Sequence, residues 1–452
     1  MISVPIPKAL GWLRGANVGG RAASLLLLAV LAIAGAPIRG NAAEVPAPAA
    51  EPQALVVGTS GDYAPFSTSP AKDDASAKNF NPGGFGPALM RAYAEDRGRE
   101  VVFAPFTWPE LPSHLASADF DVAVGGITVR WERALLGEFT VPVAHSGAVI
   151  LTRDDGTERN IDAFNQPSIR IAVNAGGHLQ RVTEARFNRA SIFPINDNAA
   201  VPAALLAGDV DAAVTDTREA PHWQRLGTDL RVLPAFTRDR KAFLVTGAPS
   251  LRADLDAWLL DKEADGTLAA FRTRFLGDAP DAARTATPLI ALLSAMDLRL
   301  RLMPAVAGAK RAIGAPIEVP ERERVVLDSA VRSVERALAE SDDAQARHLT
   351  PDAEAGVRAL FRAQIEAAKG IQLRALREPS ASENSSYDLT STLRPALLRL
   401  GDQIAGLIAV LPSNLSAAEV HRVANQELAH PLLNEDERSA IADAIVALSE
   451  SF

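Results

Sequence analysis

The hydrophobic positions change rhythm twice along the 452 residues. Residues 22–34 (AASLLLLAVLAIA) form one unbroken apolar run. From residue 54 to residue 276, short β-branched runs closed by glycine or polar turns alternate with stretches of helical period. Ala54–Thr59, Val101–Ala104, Phe120–Val124, Ile169–Val173 and Val210–Val214 read as strands, and Gly86–Arg97 and Asn198–Ala207 as helices. Such alternation predicts α/β sheets with parallel strands. The stretch Gly277–Pro288 (GDAPDAARTATP) is a linker by composition, so residues 277–287 divide the chain. Over 288–452 no β-rich run bounded by turns occurs, and Ala, Leu, Arg and Glu dominate. The periodicity predicts long helices over about 289–311, 321–341, 352–378 and 386–411, with Pro304 kinking the first. A shorter pair follows Ser416, which stands as an N-cap. The fold class is therefore multi-domain, an α/β part followed by an all-α part.

Lys8, Arg14 and Arg21 precede the first apolar run, and small residues ending in Gly40-Asn41-Ala42-Ala43 follow it. A basic start, an apolar core and a small-residue cleavage zone predict a secretory signal peptide over 1–43, then a Pro/Ala tether over 44–53. The run is shorter than the roughly 20 residues a spanning helix needs. The mature chain is expected to be periplasmic, with no membrane association after cleavage. Composition adds exclusions. There are no cysteines, so disulfides and thiolate chemistry are ruled out. The seven histidines are scattered without ligand spacing, so no metal and no cofactor is expected. A net charge of −9 gives no nucleic-acid footprint.

In the all-α part, Leu292, Met296, Arg299, Met303, Val306 and Lys310 recur at spacings of three and four. Two long cations thus sit on a stripe that faces the core, about 16 Å apart along a helix axis. Phe361, Ile365, Ala368 and Gln372 share another face, with Gln364 near it. One such residue is explained by snorkelling or by a hydrogen bond to a neighbouring carbonyl. Several, with Arg322 and Arg394 opening other helices, are not, because buried cations need anionic partners and no matching inward acids are present. Residues 288–450 resemble the exported all-helical chorismate mutases, through KRAIGAPIEVPER (310–322), FRAQIEAAKGIQ (361–372) and DLTSTLRP (388–395). That resemblance assigns Arg299, Arg322 and Arg394 to the substrate carboxylates. Lys310 and Gln372 would donate to the breaking ether oxygen, and Glu323 would accept from the ring hydroxyl. The rearrangement of chorismate to prephenate needs no nucleophile or proton shuttle. It needs a held conformer and fixed positive donors, each worth about 3 kcal/mol.

The α/β part resembles the periplasmic amino-acid-binding proteins through Gly61-Asp62-Tyr63-Ala64-Pro65-Phe66, FDVAVGGITVRWER (120–133) and GDVDAAVTD (208–216). In that family two lobes joined by crossing strands close over a ligand. By resemblance Arg133 clamps a carboxylate, helped by backbone donors near Thr128, and Asp216 meets an α-ammonium. Trp108-Pro109, Asn174-Ala175-Gly176-Gly177, Asp197-Asn198, Thr215–Ala220 and Lys241-Ala242 narrow the similarity to cyclohexadienyl dehydratases. These expel the ring hydroxyl and carbon dioxide from prephenate or arogenate. The resemblance makes Glu219 the general acid, oriented near Asn174. Arg133 and Lys241 would hold carboxylates, and Trp108 would wall the ring. Taken singly, Glu219 is a helix-dipole partner, Asn174 begins an ordinary strand-to-helix turn, and Asp216 suits a plain receptor equally. The segment Thr68–Pro82 looks long, and Arg130-Trp131 departs from the family pattern.

The expectation is an enzyme taking chorismate through prephenate to phenylpyruvate, with arogenate as a second substrate and with self-association. The rival is an amino-acid receptor module fused to a mutase.

Overall fold

A computed structural model describes residues 54–69, 80–154, 160–227, 229–279, 282–340, 349–377 and 387–452. The signal peptide and tether expected over 1–53 lie outside these residues, as does most of the Thr68–Pro82 segment.

Two five-stranded sheets form the two lobes. In the first the order is Val101–Pro105, Leu55–Thr59, Val122–Ala123, Leu244–Val245, Glu138–Phe139. In the second it is Ser191–Ile195, Arg170–Asn174, Ala212–Asp216, Ala148–Arg153, Leu230–Val232. Three strands of each sheet run parallel, as expected. The fourth strand in each order, Leu244–Val245 and Ala148–Arg153, runs against both its neighbours, so both sheets are mixed. The reason is topological. Ala148–Arg153 and Leu244–Val245 follow directly after hinge strands without a crossover helix, and only a crossover restores parallel direction. The hinge is an antiparallel pair, Ala144–Ser146 with Asp239–Lys241, in which Arg240 faces His145 and Lys241 faces Ala144. Leu55, Val57, Gly58 and Thr59 are all buried, which is why this strand reads as a continuous run rather than an alternating one.

The helical part begins at Pro288–Arg301, capped by Thr287, whose hydroxyl accepts from Ile290 N at 3.3 Å. The single helix expected over 289–311 is in fact two, since Met303–Ala312 starts a new one after Leu302. Pro304 has no N–H for the carbonyl four residues back, so the first helix ends there. Pro320–Glu340 and Pro351–Ala375 follow, the latter capped by Thr350. A π-turn, Leu389–Leu393, capped by Asp388, leads into Arg394–Ala409. Ala417–Glu427 and Glu435–Glu450 complete the bundle, and Asn434 with Glu437 forms a capping box on the last. Ser416 holds the N-cap position, but its hydroxyl makes no capping bond.

The helical part and the α/β part pack as one unit. Gln403 Nε2 donates to Phe139 O at 2.9 Å and to Asp256 Oδ2 at 3.0 Å. Arg399 donates to Ala134 O at 2.9 Å, and Trp131 meets Tyr387 edge-on at 5.4 Å. The expected linker is itself anchored. Thr285 and Ala286 are buried, and Thr285 Oγ1 bridges Arg272 and Val143 O. These contacts lie on the first lobe and beside the hinge. Trp131, a departure from the family pattern, is thus a docking residue.

Candidate functional site

The cleft between the lobes lies at the carboxyl ends of the parallel strands, where open α/β sheets place ligands. Tyr63, Trp108, Thr128, Arg133, Asn174, His178, Asn198 and Lys241 line it. Its free space is about 20 Å³, enough for one water but not for a six-membered ring. The lobes are closed on each other. Gly176, at φ +74°, brings the turn after Arg170–Asn174 so near the opposite lobe that a Cβ would stand 2.7 Å from Pro109 Cα.

Arg133 sits in the short helix Trp131–Ala134 and donates to Thr128 O at 3.1 Å. The Trp108 ring lies 6.0 Å from its guanidinium carbon. No carboxylate bonds to it among the described residues, and burial, aided by Arg130, lowers its pKa to about 9. An anion entering the cleft would restore its charge balance. Lys241 is fully buried, with Nζ 3.1 Å from Asp216 Oδ2, 3.0 Å from Thr128 Oγ1 and 3.2 Å from the Tyr63 hydroxyl. Asp216 also accepts from Tyr63 OH and from the backbone of Arg218 and Glu219. Although burial opposes it, Lys241 and these donors keep the Asp216 pKa below the ordinary carboxylate value.

Glu219 lies behind Asn198, whose Nδ2 donates to Oε1 at 2.7 Å, while Thr215 Oγ1 stands 2.5 Å from Oε2. Its side chain makes no capping bond to the helix it precedes, Ala220–Gln224. Burial, reinforced by Asp216, pushes its pKa well above the ordinary carboxylate range. Burial thus favours the protonated form of this carboxyl. The expected contact with Asn174 is replaced: Asn174 Nδ2 donates to Ile195 O at 3.3 Å. Asn198 is the residue that orients Glu219, and it also reaches Asp62 O across the cleft at 3.0 Å.

Trp108, Thr128, Arg133, Asn174 and Lys241 therefore meet around one cleft, with Asp216 and Glu219 behind its wall. Tyr63, Thr215, Asn198 and His178 were not singled out as site residues from the sequence. Three of them stand inside the quoted motifs, but His178 has no motif. Its Nε2 is 2.9 Å from Asp239 Oδ1, its Nδ1 is buried without a hydrogen-bond partner, and burial lowers its pKa.

The second pocket lies among the helices and holds about 310 Å³. Arg299, Lys310, Arg322, Glu323, Gln372 and Arg394 all line it. Arg299 opens partly onto the cavity, but its Nε is buried without a partner, and burial lowers its pKa to about 10. Lys310 donates to Ile317 O at 2.9 Å. Burial, then Arg322 and Arg394, lower its pKa, while Glu323 opposes them. The two acids on the lining are engaged by lining neighbours, Glu323 by Lys369 at 3.3 Å and Asp402 by Ser333 at 2.9 Å. Gln372 turns Nε2 to Ala368 O at 3.1 Å and leaves Oε1 without a partner. Gln364 is fully buried, and neither of its amide atoms has a partner. The cavity is thus lined by converging cations with an apolar floor, which is what a compact dianion requires.

Residues 55–278 match the family of bacterial extracellular solute-binding proteins, family 3. Over 219 residues the chain is 28% identical to a cyclohexadienyl dehydratase of Pseudomonas aeruginosa, covering 47% of this chain and 79% of that protein. Over 264 residues it is 24% identical to the L-cystine-binding protein TcyJ of Escherichia coli K12, covering 57% of this chain and 96% of that protein. It is also similar to the crystal structure of an ancestral amino-acid-binding protein described as a precursor of cyclohexadienyl dehydratase, at 27% identity and TM-score 0.45, covering 49% of this chain and 95% of that one. The α/β part thus has a two-lobed fold and is similar to solute-binding proteins and to a cyclohexadienyl dehydratase, and a helical region follows it.

Proposed function

We propose that the chain is an exported bifunctional enzyme, in which the helical pocket converts chorismate to prephenate and the two-lobed cleft converts prephenate to phenylpyruvate. Export to the periplasm is proposed from the N-terminal pattern of residues 1–43 and from the extracellular character of the matched family.

The observation that carries the second step is Glu219, a carboxyl buried at 2% exposure whose protonated form burial favours, beside a cleft whose arginine meets no carboxylate among the described residues. A receptor that only holds a ligand has no use for a buried acid with a raised pKa. In the reaction, Arg133 holds a carboxylate of prephenate. The ring carboxylate leaves as carbon dioxide, and the electrons of its C–C bond complete the aromatic ring. The ring hydroxyl departs with the Glu219 proton as water. Closure excludes water, so the carboxylate being lost is not stabilised by solvent. The free space of about 20 Å³ means the lobes must open to admit substrate.

The first step is supported by the helical cavity. Arg299, Lys310, Arg322 and Arg394 supply positive charge without a matching set of free acids among the described residues. The reaction asks for exactly such fixed charge, placed where it develops on the ether oxygen.

The test offers prephenate to the purified chain and identifies the product. Formation of phenylpyruvate, lost about 10²- to 10⁴-fold in Glu219→Gln, supports the dehydratase reading. Prephenate recovered unchanged from a saturated protein sinks it, and favours the receptor reading.

A further inference from the structure

Resting on the reading that the helical pocket converts chorismate, we infer that Lys369 is a positioning residue of that pocket. It neutralises Glu323 and fixes its carboxylate, so that an acid can stand among the cations without repelling a dianionic substrate.

Five cations line the pocket: Arg299, Lys310, Arg322, Lys369 and Arg394. Among the described residues Lys369 is the one of these five that meets carboxylates. Its Nζ lies 2.8 Å from Glu366 Oε1, 3.3 Å from Glu323 Oε2 and 3.4 Å from Glu318 Oε1. An ammonium has three N–H donors, so these contacts use its whole capacity. Although burial opposes it, Glu366 and Glu323 raise its pKa above the ordinary lysine value. Lys369 is therefore spent within the protein, and the other four keep their charge for a ligand. Lys310 shows the contrast, since it feels the Glu323 charge but bonds to Ile317 O.

The three glutamates come from different places in the fold. Glu318 precedes the helix Pro320–Glu340, Glu323 lies in its first turn, and Glu366 stands one turn before Lys369 on Pro351–Ala375. Glu318 and Glu366 are exposed and off the pocket lining, whereas Glu323 is half-buried and on it. Lys369 thus ties the helix start that holds Arg322 to the helix that holds Gln372. It also cancels the charge of Glu323, which remains an acceptor for a neutral hydroxyl. Asp402, the other acid of the lining, is exposed to solvent, which screens it, and bonds to Ser333 at 2.9 Å.

Chorismate keeps both carboxylates through the rearrangement, so a bare Glu323 would oppose substrate and transition state alike. Such a uniform effect raises KM and leaves kcat in place. Like charges close together in a half-buried setting weaken binding about tenfold or more.

The experiment is steady-state chorismate turnover by the full chain. Lys369→Met should raise KM about tenfold or more with kcat within about threefold of wild type. Lys369→Arg, which keeps the charge, should recover most of the loss. In the double variant Lys369→Met with Glu323→Gln, KM should lie close to that of Glu323→Gln alone, because no lining carboxylate is left to mask. A KM for Lys369→Met within about twofold of wild type overturns the inference, as does a fall in kcat at constant KM. Effects of the two substitutions that simply multiply overturn it too, since Lys369 would then act independently of Glu323. Lys369→Gln, with a polar head on a shorter stem, takes the place of Lys369→Met if that variant does not fold. Wild type that leaves chorismate unconverted sinks the mutase reading and the inference with it. Normal conversion with an unmoved KM in the variants sinks the inference alone.

Discussion

Arg240, on a hinge strand of the two-lobed part, donates to the carboxylate of Asp297, which is fully buried in the first helix of the helical part. The same guanidinium meets Glu427 Oε2 at 3.2 Å, and Glu427 accepts from Ser294. Neighbouring residues serve the two sites: Lys241 lines the cleft and Arg299 lines the helical pocket. One buried ionic cluster thus fixes the hinge to the helix that carries a pocket residue.

Removing this cation takes away the buried partner of two buried carboxylates, leaving Asp297 with Arg301 at 2.7 Å and Glu427 with Arg238 at 3.2 Å. Arg240→Met is expected to destabilise the docked chain by about 1–3 kcal/mol, read as an earlier transition in denaturant. A variant that unfolds together with wild type would show that the cluster does not hold the parts together.

His145, opposite Arg240 on the hinge, has its pKa lowered to about 4 by burial, with Arg240, Arg238 and Arg218 adding to the effect against Glu427. An unfolded histidine takes its proton near pH 6.5, and the folded one resists until about 4. The stabilising contribution is therefore present above pH 6.5 and is lost as the pH falls towards 4. Carboxylates also titrate there, so the comparison is with His145→Asn, whose unfolding midpoint should fall less steeply over this window. Parallel curves would mean His145 charges freely in the folded state.

The raised pKa of Glu219 runs the other way. Its contribution to stability is complete below the ordinary value near 4.5 and is lost as the pH rises through its folded value. Stability of wild type relative to Glu219→Gln should decline with pH above about 4.5. The dehydratase rate should drop as Glu219 ionises, at a pH above the ordinary carboxylate range. A rate that falls already between pH 4 and 5 would mean Glu219 is an ordinary carboxylate.

Arg299 presents a separation of stability from activity. Its Nε is buried without a partner, and burial works against its charge. Arg299→Met removes that cost while filling similar volume. The melting temperature should not drop, whereas chorismate turnover should fall about 10²- to 10³-fold. A destabilised variant with normal turnover would make Arg299 a structural residue.

Much of this was legible in the sequence because it rests on local rules. Strands such as Leu55–Thr59 are β-branched runs bounded by turns, and the helices announce themselves through period, Thr caps and prolines. All six residues expected at the helical pocket line it; Arg299, Lys310 and Gln372 stand out by helical spacing, whereas Arg322, Glu323 and Arg394 are placed there by the family resemblance. What stayed hidden depends on contacts between distant segments. Hinge strands three residues long carry no periodic signal. Asn198 approaches Glu219 only after the second lobe folds, and His178 meets Asp239 across 61 residues. Trp131 reads as an oddity until Tyr387 is placed against it.

The most direct test of the central claim feeds chorismate to the purified full chain and follows chorismate, prephenate and phenylpyruvate together. Wild type should convert chorismate to phenylpyruvate, Glu219→Gln should accumulate prephenate, and Arg322→Ala should leave chorismate unconsumed. If wild type stops at prephenate, the cleft is not a dehydratase, and if it leaves chorismate untouched, the helical pocket is not a mutase.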